Sequence, residues 1–65
     1  MTKARVERAA ELRGIYFVAE RKWLNSMVGY GYAFYSPGGY HCHMADTLGG
    51  AYRMIMEYPK IKEVA

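Results

Sequence analysis

Val28-Gly29-Tyr30-Gly31-Tyr32-Ala33-Phe34-Tyr35-Ser36-Pro37-Gly38-Gly39-Tyr40-His41-Cys42-His43-Met44 is the stretch that decides the fold. It holds four of the seven tyrosines, both histidines and the only cysteine of a 65-residue chain, wrapped around a Pro-Gly-Gly turn signal. Proline presets the first turn position and glycine accepts the positive φ that follows. Residues 28–35 and 40–44 therefore read as the arms of a β-hairpin. With Ser36 to Gly39 as a symmetric turn, Tyr35 lies opposite Tyr40, Phe34 opposite His41, Ala33 opposite Cys42, Tyr32 opposite His43 and Gly31 opposite Met44. Side chains alternate between the faces of a strand. Val28, Tyr30, Tyr32 and Phe34 then share a large aromatic face with His41 and His43. Gly29, Gly31, Ala33 and Tyr35 share a small-residue face with Tyr40, Cys42 and Met44. Only an odd, bulged loop exchanges the faces of one arm.

Working toward the N-terminus, Leu24-Asn25-Ser26-Met27 reads as a turn, and Ile15-Tyr16-Phe17-Val18 opens a β-branched, aromatic strand reaching Trp23. Ala9, Leu12, Tyr16, Ala19 and Trp23 also recur at helical spacing. Gly14, which costs a helix interior about 1 kcal/mol, favours the strand. Parity adds Ile15, Phe17, Ala19, Arg21 and Trp23 to the aromatic face, and Tyr16, Val18, Glu20 and Lys22 to the other. Thr2 caps a helix over residues 3–13, whose narrow stripe is Val6, Ala9, Ala10 and Arg13; Gly14 stops it. Asp46 is expected to cap a last helix running to Glu57, with Leu48, Ala51, Tyr52 and Ile55 on one face. Pro59 ends it, and residues 60–65 are expected to form a loose tail. The order is helix, three antiparallel strands, helix: one α+β domain over residues 1–65. The aromatic face carries the larger apolar area and so belongs under the helices, where Ala9, Ala10, Gly49, Gly50 and Ala51 leave room for rings.

Sixty-five residues lie near the lower limit for an unaided core. A single cysteine excludes an internal disulfide and fits a reducing compartment. A hydrophobic fraction of 52% is too rich for disorder. Glu20, Arg21 and Lys22 interrupt any candidate membrane span, and the N-terminus lacks the apolar core of a signal peptide. A cytoplasmic protein without a membrane partner is expected. The net charge of +3 is spread over Lys3, Arg5, Arg8, Arg13, Arg21, Lys22, Arg53, Lys60 and Lys62, with no patch along the sequence.

His41-Cys42-His43 poses a metal question, since imidazoles two apart on a strand project to one side at about 7 Å. Asp46 is the only further ligand at hand, and a closed site needs a fourth. The competing reading places both histidines at the border of an aromatic core, hydrogen-bonded to tyrosine hydroxyls or water. No metal and no cofactor is expected. Cys42 faces away from both imidazoles, so neither activates its thiol, and Gly29-x-Gly31 and Gly38-Gly39 lack phosphate-loop spacing. No catalytic residue is assigned.

The element order resembles that of the double-stranded-RNA-binding domain. That family holds phosphates with a lysine cluster at the start of its last helix, where this chain has Asp46-Thr47-Leu48-Gly49-Gly50, and no site residue carries over. The candidate site is instead the small-residue face. It is a shallow furrow floored by Gly29, Gly31 and Ala33, with Tyr16, Lys22, Tyr35, Tyr40 and Met44 as partner-binding residues. Tyrosine rims give large contact area at low entropy cost. The expected function is stoichiometric binding of a larger protein, in the manner of small inhibitors that phages and mobile elements carry against host defence enzymes. The alternative is a nucleic-acid-binding module using scattered Arg and Lys with the tyrosines. A second apolar face also predicts a homodimer.

Overall fold

The structure, a computed structural model, describes residues 1–61. Its elements are α1 (Lys3–Glu11), β1 (Tyr16–Phe17), β2 (Lys22–Asn25), β3 (Gly29–Tyr35), β4 (Cys42–Ala45) and α2 (Leu48–Met56). The chain is α+β, with an antiparallel sheet and both helices packed on it. β3 is central. β1 and β4 pair with it along Phe34 and Tyr35 and β2 pairs with it along Gly29 to Gly31, so the sheet has four short strands where three were expected: the strand expected over residues 15–23 is broken into β1 and β2.

α1 starts where Thr2, in extended geometry, accepts a hydrogen bond from the Arg5 N–H at 3.3 Å. It stops in the Schellman pattern: Ile15 N–H donates to the Ala10 carbonyl at 2.9 Å and Gly14 N–H to that of Glu11 at 3.2 Å, with Gly14 at φ 71. The strand at Tyr16 replaces the single long helix that the spacing also allowed. Val6, Ala9, Ala10 and Arg13 are all buried, so the expected stripe is the packed face. Arg13 is tolerated there because its Nε donates to the Tyr58 carbonyl and its Nη1 to that of Ala9, each at 2.9 Å. Carbonyl partners at a helix C-terminus suit a cation.

Two expected turns differ in placement. The β2–β3 loop is Ser26-Met27-Val28, later in the chain than the sequence reading places it. Asn25 Oδ1 accepts from the N–H of Met27 at 2.9 Å and of Val28 at 2.8 Å, and Gly29 at φ 78 supplies the bulge such a loop needs. In the second hairpin, Ser36-Pro37-Gly38-Gly39 does form a turn, closed by Gly39 N–H to the Ser36 carbonyl at 2.7 Å. Ser36 nonetheless stays in the ladder, opposite His41, with N–H to carbonyl at 2.9 Å. Its buried hydroxyl also accepts from His41 N–H at 3.1 Å. The register is therefore Tyr35↔Cys42, Phe34↔His43, Ala33↔Met44 and Tyr32↔Ala45, two residues from the expected pairing. An even shift leaves every side chain on its expected face.

The aromatic face lies under the helices at Ile15, Phe17, Tyr32 and Phe34, which form one core with Val6, Ala9, Ala10, Ala51 and Ile55. Trp23 and Tyr30, also expected there, are 57% and 59% exposed. Each helix has nine residues, hence about 14 Å of length. The seven residues of β3 span about 23 Å, and the helices leave the rings of Trp23 and Tyr30 uncovered, although Met27 and Val28 of the β2–β3 loop line a cavity with Gly50 and Met54 of α2. Two further corrections concern the C-terminal part. The cap of α2 is Thr47, which accepts from the Gly50 N–H at 3.0 Å, and Asp46 lies before it. Ile61, expected in a loose tail, donates its N–H to the Leu12 carbonyl at 3.0 Å; residues 62–65 lie outside the described residues.

Gly31 carries a packing requirement. A Cβ at that position would run into the Ala45 carbonyl oxygen and lie 3.0 Å from Asp46 Cα, in backbone that has no flexible end to move. Nothing stands within 4 Å of a Cβ at Gly49. Gly31→Ala is expected to lower stability by about 1–3 kcal/mol through overpacking. Gly49→Ala, in a helix with open space, should raise it by up to about 1 kcal/mol. Urea denaturation midpoints of the two variants check this pair, since opposite signs are expected from the same substitution.

Candidate functional site

The face of the sheet opposite the helices is built in cross-strand rows. Tyr16, Tyr35 and Cys42 lie side by side on β1, β3 and β4. The next row holds Val18, whose N–H donates to the Ala33 carbonyl at 3.0 Å, then Ala33 and Met44. Lys22 and Gly31 form the third. Small residues in the centre of β3 and large ones at its end make one side of this face low and the other high.

Of the five candidate residues, Tyr16 and Tyr35 are brought together. Their rings stack at 5.9 Å between centroids with 27° between planes. Tyr16 is 67% exposed, and the half-buried Tyr35 supports it from the central strand. Met44 lies one row away, half-buried beside Ala33, its sulfur 3.4 Å from Asn25 Nδ2. Lys22 is exposed at the far end beside Gly31. Tyr40 does not face Tyr35. It belongs to the loop, 86% exposed, with its ring 2.9 Å from where a Gly38 Cβ would stand. Cys42 takes the place expected for Tyr40. The floor is also more closed than expected, since Ala33 is only 5% exposed and the Ala45–Asp46 backbone closes on Gly31. The face is thus a shallow contact surface and has no deep groove.

His43 fits the border-of-core reading and His41 does not. His43 stacks on Phe34 with centroids 5.1 Å apart, and its Nε2 is 3.0 Å from the Tyr58 hydroxyl. His41 is exposed, with its ring 6.5 Å from that of His43. No group of three or more His, Cys, Asp or Glu side chains able to hold a metal occurs among the described residues. No helix among them is long and apolar enough to cross a membrane.

The sequence reading missed a second exposed aromatic group. Trp23 and Tyr30 pair across β2 and β3, edge to face at 5.6 Å, and Met27 at the loop tip is 93% exposed. Alternation assigns these rings to the aromatic face correctly. Alternation carries no signal that these rings stay exposed.

A scan against protein-family models finds no match, and comparisons with curated proteins and with solved structures return none. Function therefore rests on the geometry alone.

Cys42 is an exposed free thiol beside Tyr35. It should react with a small maleimide in the native state at a rate close to that of the denatured chain. A thiol that stays inert until denaturant is added would mean that something covers the open face.

Proposed function

We propose that this chain is a stoichiometric binding protein, not an enzyme, that covers a surface of a larger cytoplasmic protein with the open face of its sheet. One observation carries this reading: the stacked Tyr16–Tyr35 pair, with Tyr16 two-thirds exposed, on the face of the sheet opposite the buried Phe17 and Phe34. Stacking holds both rings in place before a partner arrives, which lowers the entropy lost on binding. Interfaces place their most costly residues at such aromatic anchors, with charged groups such as Lys22 at the rim. Inhibitors of host enzymes carried by phages and mobile elements are the functional class that this small domain best matches. In the absence of a partner the same face serves for pairing with a second copy through a two-fold axis, as isologous contacts allow.

The test separates folding from binding. Tyr32, 9% exposed, is a core residue, and truncating a buried aromatic costs about 3–5 kcal/mol, much of a small domain's stability. Tyr32→Ala should unfold by circular dichroism. Tyr16→Ala and Tyr35→Ala should keep the native spectrum and lose, in affinity capture from the native host, a protein that the unaltered chain retains at one-to-one stoichiometry. Capture by Tyr16→Ala together with loss by Trp23→Ala would transfer the site to the β2–β3 hairpin. A complex that dissolves steeply with added salt would point to phosphate contacts instead.

Self-association gives a second readout. Sedimentation at high micromolar concentration should find a dimer for the unaltered chain and a monomer for Tyr16→Ala. A monomer in both cases removes the pairing.

A further inference from the structure

Basic residues that are scattered along the sequence converge in space. A cleft of about 290 Å³ between α1 and α2 is lined by Arg5, Arg8, Arg13 and Lys60, and among the described residues no acidic one lines it. α1 separates its charges to achieve this. Arg5 and Arg8 face this cleft, whereas Glu7 and Glu11 line a different one beside Tyr16 and Phe17. The cations are also held in place. Arg5 lies over the Tyr52 ring, 5.6 Å from its centroid. Arg13 is 5% exposed, and its hydrogen bonds to the Tyr58 and Ala9 carbonyls fix the plane of its guanidinium at the cleft wall. Those bonds use two of the five N–H donors an arginine carries. The remaining wall is apolar, from Leu12, Tyr52 and Met56.

We propose that this cleft binds a phosphate-bearing ligand of the size of one nucleoside monophosphate, with the phosphate on the arginines and the ring against Leu12, Tyr52 and Met56. Three observations select that class. Arginine forks match phosphate oxygens bidentately. A doubly charged group answers a cluster of cations better than a single carboxylate. The volume of about 290 Å³, just under the usual range of ligand pockets, suits a ligand with one ring system. The same chemistry is offered by a free nucleotide and by one unit of a single strand of nucleic acid. The site lies on the helical layer and is independent of the protein-binding role of the sheet.

Calorimetric titration of the full chain with inorganic phosphate, adenosine monophosphate and an eight-nucleotide single strand tests this. The monophosphate should bind saturably at one site, about tenfold or more tighter than inorganic phosphate, because the ring adds apolar burial. Arg8→Gln, on an exposed helix face, should weaken it about tenfold. Arg53→Gln loses the same charge on α2 but does not line the cleft, and should leave binding unchanged. Tighter binding of the strand with the same Arg8 dependence identifies nucleic acid as the source, and equal binding identifies free nucleotide. Absence of saturable binding by all three probes, or equal weakening by Arg8→Gln and Arg53→Gln, overturns the site. Inorganic phosphate binding as tightly as the monophosphate overturns the ring-binding half of it.

Discussion

Phe34 is fully buried at the one place where three strands and two helices meet. It sits on β3, opposite Phe17 of β1 on one side and His43 of β4 on the other. The helices supply Val6, Ala9, Ala10, Ala51 and Ile55 to the same core. A chain of 65 residues has few such residues, and neither a disulfide nor a large second core to fall back on. The burial of this ring therefore sets the distance between the layers. It also explains why the helix residues over the sheet are small: alanines at 9, 10 and 51 let two helices approach a sheet floored by aromatic rings. His43 follows from the same constraint. Stacked on Phe34 and bonded to the Tyr58 hydroxyl, it closes the edge of the core and links β4 to the chain beyond α2.

The faces of the sheet are legible in the sequence because parity survives errors in turn placement. Ser36 stays in the ladder, and the pairing of β3 with β4 moves by two residues. An odd shift would have exchanged core and surface; an even one changes neighbours without changing sides. This is why the sequence places Tyr16 and Tyr35 on one face correctly while giving Tyr40 a partner it does not have. The helix stripe is equally legible, including Arg13, whose place in an apolar pattern is explained only by carbonyls supplied from residues 9 and 58.

What alternation does not record is how far one layer extends over another. Trp23 and Tyr30 carry the same periodicity signal as Phe17 and Tyr32, yet they stay exposed. Convergence of distant charges is invisible for a similar reason. Arg5 and Lys60 lie at opposite ends of the chain, and only the packing of α1 beside α2 brings them to one cleft. Both misses concern contacts between elements, which no local pattern encodes.

The two exposed aromatic pairs are not equivalent in what surrounds them. Trp23 and Tyr30 meet edge to face across β2 and β3, and both rings are more than half exposed. A two-stranded ribbon is marginal by itself, and a cross-strand aromatic pair contributes about 0.5–1.5 kcal/mol beyond its burial. The Trp23–Tyr30 contact therefore serves the fold, because it keeps the β2–β3 hairpin closed. Tyr16 and Tyr35 lie where β3 is already flanked by β1 and β4 and backed by Phe34, so the strands there need no further cross-link. Rings left exposed where the sheet is already secure are free to meet a partner, which is the physical reason for proposing a binding surface at Tyr16 and Tyr35.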